Sequence, residues 1–129
     1  MKLNPDCIRD ILLTVEEYSG FYHAVEYKYG DPHFERLNVY SQDEVAYHIQ
    51  QCEKANLIHG VAFYDMGRKA DILDLTPKGH EFLANIRESK IWNGVKEIAG
   101  KVGSSSLDAI TQIASNVITE LIKAQFGLI

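Results

Sequence analysis

The residues of this chain that could do chemistry are two cysteines, Cys7 and Cys52, and five histidines. A histidine next to a cysteine on one helix could form a nucleophile pair, and His48 precedes Cys52 by one helical turn. The apolar pattern, however, turns Cys52 toward the core, which predicts a packed thiol and an ordinary surface histidine. The histidines lack metal-ligand spacing, and the glycines form no phosphate-binding loop. We therefore expect no enzyme: no catalytic residue, no cofactor and no metal.

The stretch from Tyr40 to Phe82 supplies the elements that would position a site. Ser41 and Glu44 have the spacing of a capping box, which marks the start of a helix. The apolar face that follows is formed by Val45, Ile49 and Cys52. This pattern predicts a helix over residues 41–55, with Asn56 as a left-handed stop.

A two-stranded wing is predicted after this helix. Residues 57–64 have the composition of a strand, residues 65–68 that of a turn, and residues 70–75 that of the returning strand. Thr76-Pro77 then begins another helix, because a hydroxyl cap followed by proline is typical of a helix start.

The part of the chain before this stretch predicts one helix and an aromatic hairpin. Asn4-Pro5-Asp6 has the cap, proline and acid of a helix start. Residues 21–40 contain 6 of the 13 aromatic residues, and we expect two strands, 21–29 and 34–39, around Gly30-Asp31-Pro32. These aromatic side chains either pack against the helices, because β propensity favours them in strands, or form a binding surface.

Together these elements predict an α+β protein with a winged-helix-like core. Its order is helix, aromatic hairpin, recognition-type helix, two-stranded wing and helix. We expect residues 1–88 to form this domain and residues 89–129 to form a helical extension for dimerisation or partner binding. The pattern leaves open whether the helix after the wing breaks near Ser89 or continues.

Charge is unevenly divided between these two parts. Residues 1–88 contain 9 Lys or Arg and 15 Asp or Glu residues, a net charge of −6, whereas residues 89–129 contain 4 and 3, a net charge of +1. Because the phosphate backbone repels a negatively charged domain, this composition argues against high general affinity for nucleic acid.

The exposed face of the helix over residues 41–55 is the candidate recognition surface. Its residues are Asp43, Glu44, Tyr47, Gln50, Gln51 and Lys54. Glutamine can read adenine in the major groove, but Lys54 is the only cation of this helix that could contact a phosphate.

The wing turn adds two cations, Arg68 and Lys69, which are offset by Asp65 and Asp71. Contact with a phosphate and simple solvation of these charges are the two alternatives for the turn.

The last part of the chain carries a broad apolar stripe. It follows a Gly103–Ser106 linker in which Ser105 has the spacing of a cap with Asp108. The stripe consists of Leu107, Ile110, Ala114, Val117 and Leu121. It either folds back on the preceding helix or forms a two-fold contact with a second copy, which would make a homodimer. A membrane-surface helix is disfavoured because the polar face has few cations.

We expect a cytoplasmic protein that does not enter a membrane. Residues 1–10 are polar, unlike a signal peptide, and no run approaches the ~18 apolar residues that span a bilayer. Two cysteines do not make a disulfide framework, so both are predicted to be buried free thiols.

Several strings of residues resemble a family of unknown function. They are residues 1–10, Tyr40-Ser41 with Tyr47-His48-Ile49, the step Leu75-Thr76-Pro77-Lys78-Gly79-His80, and Ile91-Trp92-Asn93. They are similar to domain of unknown function 2513, a family of phages and prophages of Gram-positive bacteria. The resemblance covers nearly the whole chain and implies a small cytoplasmic protein of mobile-element origin. It implies no activity, cofactor or catalytic residue.

A second, shorter resemblance is to winged-helix transcription regulators. It rests on Ala55-Asn56-Leu57-Ile58 followed by Leu75-Thr76-Pro77-Lys78-Gly79. The regulators usually have glycine where this chain has Asn56, and asparagine also tolerates a left-handed conformation. This resemblance implies a winged-helix fold, while the acidic character of the recognition-type helix departs from it.

Two functions are therefore open. The first is a winged-helix module that binds an unknown host or phage protein, which the acidic domain, the aromatic hairpin and the apolar stripe favour. The second is a dimeric regulator in which Gln50, Gln51 and Lys54 read duplex DNA. Arg68 and Lys69 would then contact the DNA from the wing. We expect the first, because phosphate binding usually needs several unopposed cations.

Overall fold

Five α-helices and five short strands make up the part of the chain that the structure, a computed structural model, describes, residues 1–104 and 106–127. In chain order the elements are α1 (Pro5–Tyr18), β1 (Val25–Lys28), a 3₁₀ helix (Glu35–Leu37), α2 (Gln42–Lys54), β2 (Ile58–His59), β3 (Ala62–Tyr64), a second 3₁₀ helix (Asp65–Gly67), β4 (Lys69–Ile72), β5 (Asp74–Leu75), α3 (Pro77–Ile86), α4 (Ser89–Val102) and α5 (Leu107–Gln125). The predicted α+β class is confirmed. The chain divides into two compact units, Met1–His80 and Glu81–Ile129.

The starts of α1 and α2 are set by side chains that satisfy the first free N–H groups of each helix. The Asn4 side chain accepts from the N–H of Asp6 at 3.1 Å and of Cys7 at 3.4 Å. The Ser41 hydroxyl accepts from the N–H of Glu44 at 3.2 Å. Both predicted helix starts are confirmed.

The end of α2 and the start of α3 are joined by hydrogen bonds. Asn56 is left-handed with φ 60°, and the N–H of Leu57 donates to the carbonyl of Cys52 at 2.9 Å, which confirms the predicted stop. The Thr76 hydroxyl donates to the Asn56 carbonyl at 2.6 Å and accepts from the N–H of Gly79 at 2.9 Å. A Cβ at Gly79 would lie 2.0 Å from the carbonyl oxygen of Leu57, so only glycine fits there. This packing gives a structural reason for Thr76 and Gly79 in the Leu75–His80 string.

The strands form a three-stranded antiparallel sheet in the order β1-β4-β3, and β2 pairs with β5. The buried pairs between β1 and β4 are Val25–Ile72 and Tyr27–Ala70. The pairs on the opposite face are Glu26–Asp71 and Lys28–Lys69. The predicted two-stranded pairing after α2 is thus present as two antiparallel stretches, which are interrupted at Gly60-Val61 and at Leu73.

The predicted aromatic hairpin over residues 21–40 is wrong. Residues 34–39 contain a 3₁₀ helix in place of a strand, and β1 pairs with β4. Phe34 and Leu37 are both buried, which is the spacing of one helical turn. The Phe34 ring contacts Tyr18 and Tyr27 edge-on, with centroids 5.3 and 5.4 Å apart. Packing of these rings therefore overrides the β propensity of the segment.

The core of the Met1–His80 unit lies where α1 packs on α2. Its fully buried side chains from these two helices are Cys7, Ile8, Ile11, Leu12, Val15, Val45, His48, Ile49 and Cys52. Both cysteines are free and buried, as predicted.

The Glu81–Ile129 unit contains most of α3 and a hairpin of α4 and α5. The open question of a break near Ser89 is decided, since α3 ends at Ile86 and α4 begins at Ser89. The Ser106 hydroxyl caps α5 by accepting from the N–H of Ala109 at 3.1 Å. The predicted cap, Ser105, lies outside the described residues. The assignment of residues 1–88 and 89–129 as domains stays a prediction.

Candidate interaction surface

His48 joins the start of α1 to the first turn of α2. Its Nε2 accepts from the N–H of Asn4 at 2.7 Å, so Nδ1 carries the proton and donates to the carbonyl of Glu44 at 2.7 Å. The side chain is completely buried, so the prediction of a surface histidine is wrong. A histidine is tolerated in the core here because both ring nitrogens have partners.

Glu44 belongs to the same joint. Its carboxylate accepts from the side-chain amide of Asn4 at 3.3 Å, and the residue is half-buried. Glu44 therefore faces α1, and its carboxylate is less available to a partner than its place among the candidate recognition residues suggests.

The remaining candidate residues of α2 divide by exposure. The exposed ones are Asp43, Gln50 and Lys54, and the half-buried ones are Tyr47 and Gln51. The carboxylate of Glu53, also exposed, accepts from the N–H of Val61 at 3.2 Å. The solvent face of α2 thus carries two acids and one cation, and it remains acidic.

The β3–β4 turn, residues 65–68, has an apolar tip and a left-handed backbone. Asp65 and Met66 have φ values of 51° and 55°, in a region that costs a residue with a side chain roughly 1–2 kcal/mol. The Met66 side chain is 97% exposed. The side-chain amide of Gln42 donates to the Met66 carbonyl at 3.3 Å, which ties the turn to the first residue of α2. A strained backbone therefore presents a methionine to solvent beside the acidic start of α2.

The two candidate cations of this turn have different surroundings. Arg68 Nε lies 3.6 Å from the carboxylate of Asp65, so the predicted offset of this charge is confirmed. Lys69 begins β4 and is exposed.

A third cation, Lys28, joins Lys69 in the sheet and was missed by the sequence interpretation. Lys28 lies directly opposite Lys69, and Tyr64 lies opposite Lys69 on its other side. Like charges opposite each other are unfavourable, and the neighbouring pair on this face, Glu26 and Asp71, offsets them diagonally. No local sequence pattern could indicate that Lys28, Lys69 and Tyr64 are neighbours, because the strand pairing joins distant parts of the chain.

The aromatic residues of residues 21–40 divide between packing and exposure. Tyr27 and Phe34 are buried. Phe21 and Tyr22, in contrast, are 95% and 87% exposed, and their rings contact each other edge-on at 4.9 Å. Packing thus accounts for Tyr27 and Phe34, whereas a binding role for the exposed Phe21 and Tyr22 stays a prediction.

The buried ionisable groups are poorly suited to nucleophilic chemistry. Burial raises the pKa of the Cys7 thiol to about 12 and also raises the pKa of Cys52, so the reactive thiolates are disfavoured. Burial likewise raises the pKa of Asp10, while the hydrogen bond from the Tyr40 hydroxyl, at 2.6 Å, opposes that rise. Within residues 1–104 and 106–127, no group of three or more His, Cys, Asp or Glu side chains could hold a metal.

The predicted apolar stripe of α5 is partly covered by α4. Ile110 and Ala114 are fully buried, and Leu107 and Val117 are half-buried. Leu121, at the far end, is 46% exposed. The first part of the stripe therefore folds back on the preceding helix, which was one of the two alternatives.

These features define a small α+β protein with a helical C-terminal segment. The chain belongs to the family described as a hypothetical protein, DUF2513, whose model matches residues 2–106. It is 32% identical over 124 residues to an uncharacterized protein of Haemophilus influenzae, and the match covers 95% of this chain and 99% of that protein. No solved structure matches the chain.

No helix in the described part of the chain is long and apolar enough to cross a bilayer.

Proposed function

We propose that this protein is a non-catalytic winged-helix module, of phage or prophage type, that acts by binding a host or phage protein. The observation that carries the proposal is the apolar tip of the β3–β4 turn beside the acidic face of α2. The order of elements supports the winged-helix class: a helix, a strand, a recognition-type helix, a two-stranded wing and a helix, with the first strand paired to the returning strand of the wing. The short Glu35–Leu37 helix would stand in for the helix that precedes a recognition helix.

The chemistry of the tip favours a protein partner. Met66 is unbranched and polarisable, so it can fill an apolar pocket of varied shape. Tyr64, about half-exposed, extends the apolar surface along β3, and tyrosine and methionine are both enriched at protein interfaces. Asp43 is exposed at the start of α2, to which Gln42 ties the tip. The partner would therefore offer an apolar pocket with a basic rim.

The charge of the unit that carries this surface points the same way. Residues 1–80 contain 8 Lys or Arg and 13 Asp or Glu residues, a net charge of −5. Arg36 and Arg68 are further offset by ion pairs with Glu17, at 2.6 Å, and Asp65, at 3.6 Å. A polyanion would gain little from such a surface, because phosphate affinity rises with the number of unopposed cations.

The proposal is tested by placing a photo-crosslinking amino acid at Met66 in the full chain and irradiating cells that produce it. We expect a discrete protein adduct from Met66 and none from Ser115, an exposed position on α5. Asp43→Lys should reduce the yield of the Met66 adduct, whereas Gln50→Ala should not. Adducts to nucleic acid alone, or the same protein bands from both positions, would contradict the proposal.

A dimeric DNA-binding regulator is the second candidate, and the Lys28–Lys69 pair favours it. Two adjacent cations with Tyr64 beside them could contact a phosphate, while Gln50, Gln51 and Lys54 would face the bases. This function predicts low-salt binding of duplex DNA that falls when Lys28 and Lys69 are both changed to alanine. Unchanged DNA affinity in that double variant would show that these two lysines of the sheet do not contact DNA.

A further inference from the structure

The helical hairpin of the Glu81–Ile129 unit has an open apolar groove. The groove has a volume of about 480 Å³ and is lined by Ile98, Ile113, Asn116, Val117, Glu120 and Leu121. Four of these six side chains are aliphatic, and the polar pair, Asn116 and Glu120, lies one helical turn apart along one rim. Exposed apolar surface of this kind marks an interaction site when it is contiguous.

The charges of this unit are balanced, and this determines the kind of surface that fits the groove. Residues 81–129 contain 5 Lys or Arg and 5 Asp or Glu residues. Glu120, the charged residue that lines the groove, is paired with Lys123 of its own helix at 3.6 Å, and Glu97 is paired with Lys101 at 3.3 Å. Among the described residues that line the groove there is therefore no unopposed charge that could attract nucleic acid, a basic peptide or an anionic membrane. Its complement is an apolar helical surface without net charge, which this hairpin itself provides.

We propose that a second copy of this chain fills the groove, so that two α4–α5 hairpins form a four-helix bundle. The ridge of Val117 and Leu121 on each α5 would insert into the groove of the other copy in an isologous contact. The two α5 helices would run antiparallel about an axis near Val117, which opposes their dipoles favourably. This antiparallel arrangement would also separate the two copies of Glu120 by roughly 9 Å along the helix axes, so that like charges do not meet. This inference is independent of the proposed partner surface on the other unit.

The test is the oligomeric state of the full chain, measured by sedimentation equilibrium. We expect a dimer, and we expect Leu121→Glu to weaken association at least about tenfold, because each interface receives two buried carboxylates. The matched control is Ile122→Glu, since Ile122 is similarly exposed, at 51% against 46% for Leu121, but does not line the groove. A wild-type monomer at roughly 100 µM, where interfaces of ordinary size assemble, would overturn the proposal. An equal effect of the two substitutions would also overturn it.

A second measurement keeps the proposal testable if Leu121→Glu does not fold. Asn116→Cys places a thiol on the rim of the groove, and Ser115→Cys places one a further 100° around the same helix. Cys7 and Cys52 are fully buried and should not compete for reagent. A short bis-maleimide should couple two copies through Asn116→Cys, with at least about tenfold lower yield through Ser115→Cys. Equal yields would contradict the arrangement.

Discussion

At the joint between α1 and α2 and at the turn between β3 and β4, a side chain of α2 hydrogen-bonds to backbone groups, but the two regions differ in what is buried and what is exposed. At the joint, His48 is buried and both ring nitrogens bond to backbone groups of Asn4 and Glu44. At the turn, Gln42 bonds to the carbonyl of Met66, whose apolar side chain stays in solvent and whose backbone is left-handed. The joint therefore buries a polar side chain, whereas the turn exposes an apolar side chain to solvent.

This difference indicates where stability and interaction reside. A buried polar pair with good geometry stabilises the fold and is costly to break. A strained, exposed residue contributes little to stability and persists where surrounding contacts hold it, which is common at functional positions. We therefore expect stability to depend on the α1–α2 joint and the proposed interaction to depend on the β3–β4 turn, and four substitutions test this expectation.

The largest expected effect is that of His48→Ala. The substitution leaves a cavity in the core and removes the partner of the Asn4 N–H, so the free energy of unfolding should fall by about 3 kcal/mol. Chemical denaturation of the full chain measures it. Gln50→Ala, an exposed change on the same helix, should stay within about 0.5 kcal/mol. Similar effects for the two would mean that the joint is not a main source of stability.

Gly79→Ala tests the packing of α3 against Leu57, the residue that follows the left-handed stop of α2. The new Cβ would lie 2.0 Å from the carbonyl oxygen of Leu57, a backbone atom, so we expect a loss of about 1–3 kcal/mol. The control is Gly94→Ala in α4, where an added Cβ would meet nothing within 4 Å beyond its chain neighbours and the backbone of its own helix, so a gain of up to about 1 kcal/mol is expected. Thermal unfolding followed by circular dichroism checks both signs, and a stabilised Gly79→Ala variant would contradict the close approach.

Met66→Gly separates stability from interaction at the turn itself. Glycine adopts positive φ without strain but loses more entropy on folding, so the variant should be more stable by roughly 0.5 kcal/mol. The same variant should lose partner binding, because it lacks the apolar side chain. Urea denaturation gives the first quantity, and competition with the photo-crosslink from Tyr64 gives the second. Full competition by Met66→Gly would show that the methionine is not a contact residue.

The smallest expected effect is the pH dependence contributed by Asp10. Burial raises the pKa of this carboxyl above its ordinary value of 3.8, so folding favours its protonated form. Its contribution to stability is then complete below that value and is lost as the pH rises through the pKa of the folded state. Relative to Asp10→Asn, the wild-type chain should therefore gain stability as the pH is lowered from 7 toward 3.5. If the stability of the wild-type chain relative to Asp10→Asn fell on acidification, the pKa of Asp10 would be lowered by folding and not raised.

The sequence was sufficient to predict the starts of α1, α2 and α3 and the end of α2. Asn4, Ser41 and Thr76 are caps whose partners lie within three residues, and Asn56 tolerates the left-handed stop. These features depend on local chemistry, which a short pattern contains. The buried thiols followed from helical spacing in the same way.

The misses at Phe34, His48 and Lys28 depend on partners that are distant in the chain. Phe34 reads as a strand residue, but rings of α1 and β1 hold it beside a 3₁₀ helix. His48 reads as a surface residue, and the N–H of Asn4 brings it into the core. Lys28 lies far from Lys69 in the sequence, and only the pairing of β1 with β4 places the two side by side. Met66 could not be predicted as an exposed left-handed residue, because residue preferences assign that conformation to glycine or asparagine.

The central claim, that the protein acts on a protein and not on DNA, is tested most directly with mixed-sequence duplex DNA. Fluorescence anisotropy of the labelled duplex is followed while the full chain is added, at low and at moderate salt. We expect no saturable binding at either salt concentration, because the 8 Lys and Arg residues of residues 1–80 are outnumbered by 13 Asp and Glu residues. Steeply salt-dependent binding that is lost when Lys28 and Lys69 are both changed to alanine would contradict it, and the regulator would become the leading function.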